Sequence, residues 1–147
     1  MVLESDASTR WLRPLGAVTF LVAVGLPIAA IATAGVRGAE IEPGPIDWAL
    51  VALVALLALA TFALLLPWAA RAPGRATAVG VTLSTVALVA SFVFFWTMVP
   101  VIFGSAGAWL GYSATGAPGR SRAAGMISMA MGALAAVASV VAYIATS

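Results

Sequence analysis

The chain has 147 residues, 63% of them hydrophobic and 8% charged, with a mean hydropathy of +1.13, whereas a soluble domain carries about 25% charged residues. Its seven cations are all arginine, and with five acids the net charge is +2; histidine and cysteine are absent. This composition excludes a soluble globular domain and a disulfide framework. It describes a single integral membrane domain, all-α, whose function lies within a bilayer or at its two surfaces. The pI near 9.9 does not indicate nucleic-acid binding, because arginines scattered over membrane loops act as orientation signals. Usage heavy in Ala, Val, Gly and Arg suggests a GC-rich bacterial genome, and with it the bacterial cytoplasmic (inner) membrane.

Residues 1–13 form a polar leader that ends in Arg10 and Arg13. The first apolar run, about 14–35, reads as a span with Pro27 as a kink point. It also reads as a secretory signal ending in Ala32-Thr33-Ala34 before Gly35, although the run is long for that purpose. Both readings start the chain inside. Residues 36–47 form a Gly/Pro-rich loop holding Arg37 and three acids, Glu40, Glu42 and Asp47. Asp47 is placed to cap the next helix. This acidic loop serves either as a weak outer cation or partner site or as a solvated connection with a cap, and the second reading needs less.

The second span runs about 48–70. Trp48 and Trp68 stand 20 residues apart, roughly 30 Å on a helix, which matches the hydrocarbon thickness and the tryptophan preference for its two interfaces. A positively charged tight turn follows, Arg71-Ala72-Pro73-Gly74-Arg75. The third span is expected over about 76–97.

From Ala76 to Gly119 no residue is charged. One straight helix of that length would reach roughly 66 Å, about twice the hydrocarbon core, so the chain must break. Phe94-Phe95-Trp96 falls where an interfacial aromatic belt belongs. Pro100 cannot donate a backbone hydrogen bond, disfavours helix at Val99 and suits the first turn of a new helix. A turn near Thr97–Val99 follows from this. A short fourth helix, crossing or re-entrant, is expected over about 100–115, and a fifth over about 123–145. Four crossings would leave Arg120 and Arg122 outside. Five would put Arg10, Arg13, Arg71, Arg75, Arg120 and Arg122 inside, as the positive-inside rule prefers. The expected layout is therefore five helices, N-terminus inside and C-terminus outside, with four spans as the alternative. A four-residue repeat supports the layout: Ala72-Pro73-Gly74-Arg75 recurs as Ala117-Pro118-Gly119-Arg120, and Gly80 and Gly125 each follow five residues after the arginine. It marks either two equivalent hairpins or a chance recurrence of a common turn.

Because lipid is as apolar as leucine, membrane helices associate through close packing of small residues. The third span offers Thr77, Gly80, Ser84, Ala87 and Ser91. The fourth offers Gly104, Gly107, Gly111 and Ala114, including the GxxxG pair Gly107/Gly111. The fifth offers Gly125, Ser128, Gly132, Ala135, Ser139 and Ala142. Of residues 123–146, 14 of 24 are Gly, Ala, Ser or Thr, so one such stripe is weak evidence and three in succession are better. These stripes join the chain's own helices, a second copy or a partner.

No Asp, Glu, Lys, Arg or His lies inside the apolar runs, which removes the usual proton relay, ion pathway and buried counter-ion. Without histidine or cysteine the common metal and cofactor ligands are missing, as are the nucleophile pairs of hydrolases. We therefore expect no cofactor, no metal site and no enzyme. The inner arginines can contact anionic lipid headgroups, although orientation alone accounts for them. From about Val79 to Tyr143, the run VPVIFGSAGAWLGYSA, the APGRSR turn and the segment AAGMISMAMGALA resemble a small multi-span membrane domain of unknown function, widespread in bacteria and mostly actinobacterial. That pattern usually has more basic residues after the glycine-rich run than Arg120 and Arg122. The resemblance implies location and architecture and brings no activity or functional residue. Two functions remain: an accessory or scaffold subunit of a larger membrane complex (or a self-associating bundle), and an oligomeric pore or permease for an uncharged solute lined by Thr82, Thr85 and nearby serines.

Overall fold

A computed structural model of the protein describes residues 14–29, 44–94, 97–116 and 119–146. These form five helices and no strand: α1 (Pro14–Ala29), α2 (Pro45–Ala70), α3 (Pro73–Val93), α4 (Val99–Ala114) and α5 (Arg120–Thr146). Three of them, α2, α3 and α5, are long and apolar enough to cross a membrane. The segment proposed as a signal cleavage site, Glu40, Glu42, Arg10, Arg13, Arg37, Phe95 and Trp96 lie outside the described residues. Pro27 falls in the last described turn of α1.

Helix starts follow local chemistry. In α2, α3 and α4 a proline occupies one of the first two positions, where its missing N–H removes no helical bond. α2 therefore begins at Pro45, ahead of the expected 48. Asp47 is not its cap residue: Gly44 is, and the Asp47 carboxylate accepts the Gly44 N–H at 2.8 Å from three positions inside. α3 likewise begins at Pro73, so Pro73, Gly74 and Arg75 form its first turn and only Arg71 and Ala72 separate it from α2. It ends at Val93, short of the expected 97. Val99 is helical, and the reversal centres on Met98, whose φ of 59° is left-handed. That conformation costs a non-glycine residue about 1–2 kcal/mol. The fully buried Met98 side chain, packed with Ala23, Val54, Ala58, Val101 and Ile102, holds it there.

The two Ala-Pro-Gly-Arg copies differ in backbone conformation at their glycines. In the first, helix starts at the proline and Gly74 is helical; in the second, Gly119 is left-handed at φ 71° and helix starts at Arg120. The turns are therefore not equivalent, and α5 begins earlier than the expected 123.

α2 contains a π-turn over Thr61–Leu65, with Leu66 N–H bonded to the Thr61 carbonyl. Pro67 explains its position. In a regular α-helix the proline ring meets the carbonyl four residues back, and a widened turn relieves that contact. The wide turn also resets the buried face. Val54, Ala58 and Thr61 are buried at steps of four and three, and burial resumes at Leu66 and Ala69 after a step of five.

Small residues lie inside and large apolar ones outside. The buried face of α3 is Ala76, Gly80, Ser84 and Ala87, and that of α5 is Gly125, Ser128, Gly132, Ala135 and Ser139. Leu53, Leu56 and Leu64 of α2, Val89 and Phe92 of α3, and Ile127, Leu134, Val137, Val141 and Ile144 of α5 are exposed. Water does not tolerate such a surface and lipid does. This is a membrane protein. α4 is the exception: ten of its 16 residues are buried, from Pro100 to Ala114. At roughly 24 Å it is shorter than the hydrocarbon core, and it is clasped by α3 and α5, which also touch each other.

Candidate functional site

The most elaborate polar arrangement in the described structure lies midway along the α3–α4–α5 contact. Ser84 and Ser128 are both fully buried. The Ser84 hydroxyl donates to the Ser128 carbonyl at 2.8 Å, its Oγ lies 3.1 Å from the Ser128 Oγ, and the Ser128 hydroxyl donates to the Gly107 carbonyl at 3.0 Å. One short chain of hydroxyls thus ties three helices. Such bonds contribute about 0.6 kcal/mol each in membrane bundles, with a maximum near 1.7.

Close approach of the backbones makes these bonds possible. A Cβ on Gly107 would collide with the Ser84 Oγ and stand 2.8 Å from the Ser84 nitrogen and 2.9 Å from the Gly80 carbonyl oxygen. A Cβ on Gly104 would lie 2.6 Å from the Gly132 oxygen, and one on Gly132 would collide with the Gly104 oxygen. Gly111 and Gly125 repeat this reciprocity at 2.5 and 2.7 Å. Gly80 meets the same region, with 3.1 Å to Leu110 Cβ and 3.3 Å to the Gly111 nitrogen. α4 is therefore antiparallel to both neighbours.

The Gly107/Gly111 pair is not a single dimerisation face. Gly107 packs on α3, while Gly111 packs chiefly on α5, where Gly104 is its companion seven residues away. The sequence signal for this is the matched seven-residue spacing of Gly104/Gly111 and Gly125/Gly132, a step that returns a residue to the same face. Ala87 and Ala135 are fully buried beside this seam. Thr77 and Ser91 do not bridge helices: their hydroxyls donate to the Pro73 carbonyl at 3.0 Å and the Leu88 carbonyl at 2.7 Å. Ser139 donates to the Ala135 carbonyl at 2.8 Å, also within its own helix. Thr82 and Thr85, the proposed pore lining, are exposed and donate to Ala78 and Val81 carbonyls at 2.9 and 2.8 Å.

The arginines gather at one end. Gly80 and Gly125 meet at Gly111, so the first turns of α3 and α5 lie level, and Leu15 packs on the cluster formed by Leu66, Ala69, Ala76, Ala106, Trp109 and Leu110. Arg71, Arg75 and Arg122 are exposed there, and Arg120 is the first residue of α5. The Arg75 guanidinium lies 4.4 Å above the Trp68 ring, and its Nη1 donates to the Trp68 carbonyl at 3.4 Å. Sequence reasoning overlooked this pairing, although a seven-residue separation across a two-residue break brings the two side chains together. It overlooked as well the wide turn before Pro67 and the contact of Gly16 on Phe62, whose ring carbon would stand 3.2 Å from an added Cβ.

Between α1 and α2 runs an apolar groove of about 490 Å³, lined by Gly16, Ala17, Phe20, Ala58, Phe62 and Ala63 among others. Among the described residues no three His, Cys, Asp or Glu side chains come together as a metal would require. No family model matches the chain, and neither a curated protein nor a solved structure shows significant similarity to it.

Proposed function

We propose that this protein is a non-catalytic subunit of the bacterial cytoplasmic membrane, an accessory or scaffold element that docks on a larger membrane complex or on its own copies. The observation that carries this reading is where the polar groups are bonded. The buried hydroxyls of Ser84 and Ser128 are both committed to holding α3, α4 and α5 together, which makes that unit a rigid post with an apolar exterior. A rigid apolar post suits docking against other spans, and hydroxyls tied into helix contacts do not line a solute path. The glycine stripes are used within the chain, so a partner would meet the outer faces of α2 or α5.

In this reading all five helices cross or enter the bilayer, with the N-terminus inside and the C-terminus outside. The antiparallel course of α4 supports it, because it returns Arg120 and Arg122 to the end that holds Arg71 and Arg75, as the positive-inside rule favours. The likeness to the actinobacterial membrane domain fits the same picture and rests on sequence alone. Purification from native membranes in mild detergent tests the function: a stoichiometric companion or a homo-oligomer is expected, and a solitary monomer would remove the proposal. Cysteines introduced at Gly74, Gly119 and Ala145 test the layout without background thiols. The first two should label from the inside and the third from the outside.

A further inference from the structure

We propose that the corner formed by Trp68, Arg71 and Arg75 binds the phosphate headgroup of an anionic phospholipid, one of whose acyl chains lies in the groove between α1 and α2. The inference goes beyond the scaffold role and rests only on the membrane placement in that reading. Three observations carry it.

The first is charge segregation. Among the described residues Arg71, Arg75 and Arg122 share one end of the bundle, with no ion pair, and the one described acid, Asp47, lies at the other end of α2. Those 24 residues amount to roughly 36 Å of helix. The second is preorganisation. Arg75 rests on the indole of Trp68 and uses one N–H on the Trp68 carbonyl, which leaves the other donors of its planar fork for an acceptor. That fork matches phosphate geometry and stacks on aromatic rings as lysine does not. Tryptophan and arginine at a helix end also belong at headgroup level. The third is the groove. Phe62 and Ala63 on its wall precede Arg71 by nine and eight residues, roughly 12–14 Å along the helix, within the roughly 15 Å that one leaflet contributes to the hydrocarbon core. Small residues, Gly16, Ala17, Ala58 and Ala63, open space on its walls between larger phenylalanine and leucine side chains. A free anion or a nucleic acid has no use for such a groove, and an acyl chain does.

The test reads lipid retained by the isolated protein, so its outcome is independent of whether any protein partner exists. The full chain is purified from mixed phosphatidylglycerol–phosphatidylcholine nanodiscs, and bound phospholipid is quantified by native mass spectrometry. Wild type is expected to retain phosphatidylglycerol in clear preference to phosphatidylcholine. The R71Q/R75Q variant should lose about 30-fold of that preference, corresponding to about 1 kcal/mol per arginine. The R71K/R75K variant should fall between wild type and the glutamine variant, because a point charge still attracts phosphate but supplies neither the fork nor the stacking on Trp68. Filling the groove with A17F should reduce retention of both lipids by about 10-fold. Equal retention of the two lipids by wild type overturns the proposal. So does a glutamine variant that behaves as wild type, a lysine variant as deficient as the glutamine one, or an A17F protein that still holds its lipid.

Discussion

The α3–α4–α5 unit and the α1–α2 pair both join apolar helices in a solvent that supplies no hydrophobic drive between them, and they do so differently. In the first, backbones meet: glycines oppose carbonyl oxygens, and two buried serines bond across the gap. In the second, side chains intervene. Phe62 lies on Gly16, large residues flank the contact and a groove is left open. Glycine content alone does not separate the two regions. Gly25 of α1 and Gly74 of α3 would meet nothing within 4 Å if each carried a Cβ. Close approach requires glycines at matched spacing on two helices, so that each occupies the other's gap.

The sharpest way to break this contrast is to put bulk at one glycine of each region. Gly107→Leu would drive a side chain into the Ser84 backbone and the Gly80 carbonyl. We expect a stability loss of about 3 kcal/mol, at the upper end for overpacking. Gly25→Leu, in open space, should change stability by no more than about 1 kcal/mol and can gain from helix propensity. Reversible unfolding in mixed micelles, followed by circular dichroism, gives both numbers. If the two variants unfold together, the distinction between the regions is wrong.

A smaller effect sharpens the account of the serine pair. Ser84→Ala removes the donor to the Ser128 carbonyl, and Ser128→Ala removes the donor to Gly107. Each should cost about 1 kcal/mol, within the range found for interhelical bonds in bilayers. Because the two hydroxyls also touch, the double variant should lose measurably less than the sum. Strict additivity in the double-mutant cycle would mean that the hydroxyls act separately and that no three-helix tie exists.

Much of this architecture was legible in the sequence. Apolar runs, Pro100 and the uncharged stretch to Gly119 required a broken chain, and the small-residue stripes include every glycine of the tight seam. The sequence did not reveal which stripe meets which. GxxxG at Gly107/Gly111 draws attention as a pair, yet packing divides it between two neighbours, because α4 lies between them. Periodicity on one helix cannot report that. The Ala-Pro-Gly-Arg repeat left equivalent hairpins and chance recurrence both open for a related reason. Identical residues took up different backbone conformations, helical at Gly74 and left-handed at Gly119, since four residues do not determine a turn whose flanking helices differ.

The smallest expected effect concerns α2, which flanks the core and is joined to it less tightly. Its buried residues fall into two sets, Val54, Ala58, Thr61 and then Leu66, Ala69, kept on one face by the extra residue of the wide turn. Deleting the exposed Leu64 would convert the step of five to the step of four that a regular α-helix needs. The deletion leaves a proline where a normal helix would clash with it, so it should be made together with Pro67→Ala. The combined variant is expected to stay within about 1 kcal/mol of wild type, because both buried faces remain in phase. Deleting Leu56 instead rotates Val54 by roughly 100° relative to Ala58, separating it from Met98 and Ile102 and lowering stability further. If the Leu64 deletion with Pro67→Ala proves as damaging as the Leu56 deletion, the wide turn does more than relieve the proline and correct the register. Its place beside Phe62 and Ala63 on the groove wall would then make lipid retention by that variant the next quantity to measure.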